Sequence, residues 1–222
     1  MKVAVVQFPG STCDRDTLYA LRNVMKLEAD LVWHNHFTDD SYDAVILPGG
    51  FSFGDHLRGG IIAAHSPAMG AVRKMAEDGK PVLGICNGFQ ILIEADLLPG
   101  ALLPNSCLKF VCKWMNLEVE NNESAFTCAF DKGARIRMPI AHHEGRFFAE
   151  DELLDQLASE GRVVMTYCDE NPTGTSRAIT AISNEKGNVV GMMPHPERAS
   201  DVSLGGNDGL IVFKSMMRWV EC

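Results

Sequence analysis

The chain has 222 residues, 46% hydrophobic and 22% charged, with a net charge of −9. That length can bury a core without disulfide or metal staples, and the acidic balance argues against wrapping nucleic acid or docking on anionic lipid. Seven cysteines without a C-x-x-C pair argue against a disulfide framework or a zinc ribbon and point to a reducing compartment, read here as the cytoplasm.

The opening run "MKVAVVQF" is too short for a signal peptide or a membrane span. It predicts a first strand. A loop, "PGSTC", leads into a helix from about Asp14, where Leu18, Leu21 and Met25 share a face. "ADLVWHNH" and "DAVILPGG" predict the second and third strands, short and apolar like strands buried on both faces. "GGIIAAHSPAMGAVRKMAEDG" reads as two helical pieces, with Ser66 as cap and Pro67 in the first turn of the second. "PVLGI" is the next strand and "GFQILIEADL" the next helix.

In the middle, "CLKFVCKWMNLEVEN", "SAFTCAF" and "ARIRMPIAHHEGRFF" predict strands, as do "VVMTYC" and "RAITAISN" after the helix "EDELLDQLASEG". Some of these are expected to form a small mixed or antiparallel layer. "NVVGMMPHPE" returns a strand to the main sheet, and "DGLIVFKSMMRWV" closes the chain as a helix. The β-α-β-α order predicts an α/β fold with an open, mostly parallel sheet and helices on both faces. One domain over residues 1–222 is the simplest account.

The chemistry concentrates in three short stretches. "GICNG" places Cys86 where a strand turns sharply into a helix, the thiol form of a nucleophile elbow. Side chains at Gly84 or Gly88 would obstruct that turn, and the positive end of the following helix favours a thiolate. The alternative is a buried, inert cysteine between packing glycines. A cysteine nucleophile needs a base and a group to orient it. "MMPHPE" offers His195 between two prolines on a stiff loop, with Glu197 two residues on and on the same side of an extended stretch. The weaker reading of His195 is a loop residue at a strand end. "ILPGGFSFGDHLRGG" ends the third strand in a tight turn at Gly49 and Gly50, whose backbone N–H groups can complete an oxyanion hole with Asn87. Asp55 and Arg58 read equally as a lid, a partner contact or a local ion pair. His34 and His36 lack a third metal ligand nearby, and the "HHE" of residues 142–144 reads as a turn or a substrate-side loop. No phosphate-binding glycine motif is present.

"PGGF", "GICNGFQ" and "MMPHPE" resemble the class I, triad-type glutamine amidotransferases. "GSTCDRD", "PGGFSFGDHLRGGIIAA", "LLPGALLPN" and "PIAHHEGRFFA" extend the resemblance to the glutaminase subunits of phosphoribosylformylglycinamidine synthases, from Lys2 nearly to the C-terminus. This resemblance implies a flavodoxin-like fold and the roles that follow. Cys86 attacks glutamine, His195 moves the proton, and Glu197 orients His195. Gly50, Phe51 and Asn87 hold the oxyanion. Gln90 helps to bind substrate, and the segment at Lys109 and Phe110 meets the glutamine α-groups. It implies no cofactor or metal on this chain, with ATP and magnesium on a large synthetase partner, and a small third subunit. His143 stands where glycine is commoner in the family and Thr12 where asparagine is commoner. The triad by itself also fits a free-standing cysteine amidohydrolase, and an inert Cys86 would fit a non-catalytic regulatory subunit.

Overall fold

A computed structural model describes residues 1–221. In chain order the elements are β1 (Lys2–Gln7), α1 (Asp14–Tyr19), β2 (Glu28–Trp33), β3 (Ala44–Leu47), α2 (Ile61–Ala64), α3 (Ala68–Glu77), β4 (Val82–Ile85) and α4 (Asn87–Glu94). There follow β5 (Ala101–Pro104), β6 (Val111–Val119), β7 (Arg135–His142), β8 (Glu144–Phe148), α5 (Asp151–Ser159), β9 (Val163–Tyr167), β10 (Ile179–Ser183), β11 (Val189–Met192) and α6 (Leu210–Glu221).

Nine strands form one sheet in the order β2-β1-β3-β4-β11-β10-β9-β6-β7. The first five pair in parallel and the remainder antiparallel. β5 and β8 make the separate small antiparallel layer. β6, β7, β9 and β10 extend the main sheet. Burial explains the difference in their sequences. β3, β4 and β11 are buried at every position, so they read as unbroken apolar runs. β7 alternates, with Ile136, Met138, Ile140 and His142 turned inward. Val3, Val5, Ile46 and Leu83 are fully buried, each worth roughly 1.5–3 kcal/mol relative to exposure.

α1 packs on β1 and β2, α3 on β3 and β4, and α4 on β3, β4 and β11. α4 is buried from Asn87 to Ile93, and a helix apolar on every side belongs inside a core. Its close approach needs glycine. A Cβ on Gly88 would lie 2.0 Å from Leu47 O, and one on Gly84 would lie 2.5 Å from Gly88 O. Among the described residues, no helix is long and apolar enough to cross a membrane.

Four local expectations need correction. Ser66 does not cap α3: Pro67 occupies the cap position without a side-chain bond, and the Ser66 hydroxyl is buried without a partner. "SAFTCAF" is a coil of turns, with Cys128 N–H and Thr127 N–H both donating to Ser124 O. Its phenylalanines pack into the core without strand pairing. His34 and His36 lie beyond the end of β2 in a turn, and His34 stacks on Phe8. The helix at Asp14 also ends early, passing at Ala20 into a π-helical turn to Val24.

The strand order fixes what meets at the active edge. Gly84 pairs with Gly191 and Ile85 with Met192, so β4 and β11 end side by side. Cys86 leaves the first and His195 the second. β3 runs beside β4, with Leu47 paired to Gly84, and delivers the Pro48–Gly50 turn to the same edge. β7, at the far end of the sheet order, curls back over it: Pro139 O accepts the His195 N–H at 2.9 Å.

Candidate active site

Cys86 adopts φ 51° and ψ −103° at the start of α4. A positive φ is strained for a residue with a Cβ, and the flanking bonds impose it. The Cys86 N–H donates to Met192 O at 2.7 Å, while Cys86 O accepts the N–H groups of Phe89 and Gln90. Its Sγ faces Ala141 O at 3.8 Å.

His195 is 1% exposed, and its Nδ1–H donates to Glu197 Oε1 at 2.6 Å. The same nitrogen cannot reach a second acceptor, so Nε2 is the atom left for chemistry. Nε2 is buried without another partner, as is Glu197 Oε2. Burial works against charge on this ring. The negative Glu197, followed by contacts with Cys13 and Cys86, nevertheless holds His195 well above the ordinary histidine range. Glu197 thus stabilises the imidazolium that forms when His195 accepts a proton, the form that a leaving group needs.

The sequence offered no reason to place Cys13 here. Its sulfur accepts the Arg198 Nη2–H at 3.1 Å, and ligand atoms of Cys13, His195 and Glu197 lie within 4.8 Å of one another. Gly49 makes this possible: a Cβ there would lie 2.9 Å from His195 Cε1 and 3.2 Å from Cys13 Sγ. The available signal was topological, since Cys13 follows β1 at the same carboxyl edge of the parallel strands as Cys86.

Of the expected oxyanion groups, the Phe51 N–H is already committed to Gly10 O at 2.9 Å. The N–H groups of Gly50 and Asn87 have no acceptor among the described residues. Gly50 sits at φ 153° with Gly10 O 2.6 Å from where a Cβ would be, so no larger residue fits.

Side-chain amides tie the edge together. Asn87 Oδ1 accepts the Ser52 N–H at 3.0 Å. Asn87 Nδ2 donates to Gln90 Oε1 at 2.8 Å, and Gln90 Nε2 donates to Glu144 O at 2.6 Å. Gln90 thus braces the wall of the site. A cleft of about 160 Å³ opens here, lined by Gly50, Phe51, Asp55, Cys86, Gln90 and the segment 141–144. This is below the roughly 300 Å³ of drug-sized ligand sites, and suits a small substrate. Larger cavities of about 530 and 430 Å³ lie elsewhere. Neither contains a thiol or an imidazole, so chemistry rather than volume selects the smaller cleft. Lys109 and Phe110 do not line it. Their segment is fastened to its wall through Asn105, whose Nδ2 donates to Lys109 O at 3.0 Å and to His142 O at 2.9 Å.

Asp55 and Arg58 do not pair. Arg58 instead grips Glu94 with Nε and Nη2 at 2.6 and 2.5 Å. Burial, followed by the negative charge of Glu144, pushes the Asp55 carboxyl up from 3.8 to about 6. The sign follows. Between these values the folded protein holds the proton that the unfolded chain has lost, so stability falls as pH rises through this window and stays lower above it. Asp55→Asn is therefore expected to raise Tm at neutral pH by about 2–4 °C, or about 1 kcal/mol after allowing for solvent screening. The gain should vanish below about pH 4. Thermal unfolding at both pH values checks this, and a wild-type chain that is the more stable at neutral pH would contradict it.

The family model for the CobB/CobQ-like glutamine amidotransferase domain matches residues 1–219. A solved structure of PurLQS from Thermotoga maritima aligns with 46% identity and a TM-score of 0.91, covering 99% of this chain and 98% of that one. The glutaminase domain of Trypanosoma brucei CTPS with bound acivicin shares 14% identity at a TM-score of 0.63, covering 100% of this chain and 94% of that one. A glutamine amidotransferase from Thermotoga maritima shares 16% at 0.58, with coverage of 100% and 92%. The last two show likeness of fold alone.

Proposed function

The chain belongs to the CobB/CobQ-like glutamine amidotransferase family, and from that premise we propose that it is the glutaminase subunit of a phosphoribosylformylglycinamidine synthase. The observation that carries this reading is the pairing of β4 with β11, which sets Cys86 beside the His195–Glu197 hydrogen bond. The 46% identity to a PurLQS chain over nearly its full length supports the pathway.

In this reading the Cys86 sulfur attacks the side-chain amide carbon of glutamine. His195 takes the thiol proton, and Glu197 holds its Nδ1–H so that Nε2 faces the reaction. The carbonyl oxygen gains the electron pair and rests on the Gly50 and Asn87 N–H groups. The Phe51 N–H joins only if it leaves Gly10 O. When the carbon–nitrogen bond breaks, His195 returns the proton to nitrogen, and ammonia departs from a γ-glutamyl thioester. Water then attacks the thioester carbon and gives up a proton to His195. The carbon–sulfur bond breaks, and glutamate leaves with Cys86 restored. Gln90 acts by fixing Asn87 and Glu144, and the segment at Lys109 and Phe110, fastened to the cleft wall through Asn105, meets the glutamine α-groups. Ammonia passes to the synthetase subunit, where ATP and magnesium activate formylglycinamide ribonucleotide, and a small third subunit completes the complex. No metal is needed on this chain for these steps.

The test is glutamate release from glutamine by the purified chain, with and without that synthetase subunit. A large rise with the subunit is expected. High activity that ignores the subunit would favour a free-standing hydrolase, and no activity in either condition would favour an inert Cys86.

A further inference from the structure

The Glu197 side chain is fully buried, and its two oxygens are unequally served. Oε1 accepts the His195 Nδ1–H, while Oε2 has no hydrogen-bond partner. A buried carboxylate with one hydrogen bond is costly as an anion and tends to take up a proton. His195 offsets the charge only while its ring is protonated, and the ring gives that proton to the leaving ammonia. Among the described residues, the permanent cation paired with this carboxylate is Arg198, whose Nε lies 3.9 Å from Oε1. Arg198 is the next residue in the chain, and the turn folds so that its backbone N–H donates to His195 O at 3.3 Å.

Two residues at the start of α1 hold the guanidinium in place. Arg198 Nη2 donates to the buried Cys13 sulfur at 3.1 Å, and Nε lies 3.7 Å from Asp16 Oδ2 on the solvent side. Cys13 is itself fixed: its N–H donates to Gly49 O at 3.1 Å, and its carbonyl accepts both the N–H and the hydroxyl of Thr17. Burial works against the charge on Arg198, yet Cys13, Glu197 and Asp16 outweigh it and hold the group above the ordinary arginine range. Ligand atoms of Cys13, His195 and Glu197 lie within 4.8 Å of one another, and a sulfur, imidazole and carboxylate set so spaced is one that gathers a cation. The chain supplies its own: the planar guanidinium meets the sulfur through Nη2 and faces the carboxylate through Nε.

We propose that Arg198, anchored by Cys13 and Asp16, is a positioning residue for proton transfer: it holds the Glu197 carboxylate charged and turned to His195 Nδ1 after the ring has given up its proton. This rests on the glutaminase reading above and adds a residue behind the triad, since Arg198 does not line the cleft. Other titratable groups bear on the cluster. Cys86 at the start of α4 and His142 at the end of β7 face His195. The remaining charges nearby are engaged elsewhere. Arg137 of β7 lies over Trp114, Arg218 of α6 donates to Cys128 O, and Asp201 accepts from Ser203.

The test follows ammonia release from glutamine as a function of pH, in the chain assembled with saturating synthetase subunit, for wild type, Arg198→Met and Arg198→Lys. Removing a positive charge favours the protonated form of every group around it. Arg198→Met is therefore expected to move both limbs of the kcat/KM profile to higher pH. It is also expected to lower the plateau of that profile by about 10-fold or more, the scale for a partner that orients a functional side chain from behind. Arg198→Lys keeps the charge and is expected to bring the limbs back. The position of a limb does not depend on how much of the chain is folded or assembled, so a merely structural role would lower the plateau and leave the limbs in place. An undiminished plateau or unmoved limbs in Arg198→Met, or limbs displaced equally in Arg198→Lys, would overturn the positioning role while leaving the glutaminase reading intact. A wild-type complex that releases no ammonia from glutamine would instead remove the glutaminase reading, and this inference with it.

Discussion

Cys86→Ala is expected to lower glutamine-dependent synthesis by the assembled enzyme by roughly 10⁴-fold or more, the scale of losing a nucleophile from a triad. In the proposed assembly, synthesis fed by ammonia takes place at the synthetase subunit and is expected to persist. The reason lies in how little else Cys86 does. Its Sγ has one weak contact, with Ala141 O at 3.8 Å, and the bonds that hold the turn run through its backbone. An alanine keeps those bonds and the same strained φ. Loss of both activities would mean that the thiol supports the structure. Retention of glutamine-dependent activity would end the nucleophile assignment.

His195→Ala should be nearly as damaging, roughly 10⁴–10⁶-fold, whereas Glu197→Gln should cost roughly 10²–10⁴-fold. His195 moves the proton in both half-reactions, while Glu197 acts through one hydrogen bond to Nδ1. The two roles differ in a further readout. Glu197 contributes the largest of the influences that raise the His195 pKa, against the opposing effect of burial. Replacing the carboxylate by an amide removes a negative charge beside the imidazolium, so the proton should leave His195 at lower pH. The alkaline limb of the pH profile of kcat/KM for glutamine should therefore move to lower pH in Glu197→Gln. An unshifted profile, or losses equal to those of His195→Ala, would give Glu197 a more direct part in the chemistry.

Much of this site could be read before any strand order was known, because the relevant constraints are local. Gly84 and Gly88 flank Cys86 for a steric reason that the coordinates bear out, since a Cβ at either would strike the backbone. His195 and Glu197 are two residues apart and meet at 2.6 Å, within the reach of an extended stretch. Local reasoning failed where a run of residues fits two structures. "SAFTCAF" has strand composition, yet it is buried by neighbouring elements and needs no strand pairing. Ser66 has cap chemistry, but the chain enters α3 at Pro67 with a helical φ and leaves the hydroxyl aside.

The sequence by itself determined the alternation of strands and helices, the strained turn at Cys86 and the histidine–carboxylate pair, because each depends on sterics and hydrogen bonds among near neighbours in the chain. Tertiary structure alone decided that β11 inserts beside β4, that Cys13 and Arg198 stand next to His195, and that β7 curls over the edge to bring Ala141, His142 and Glu144 to the cleft. The physical reason is that strand order and sheet curvature come from packing the whole core at once. Residues far apart in the chain carry no local signature of the partner they will meet.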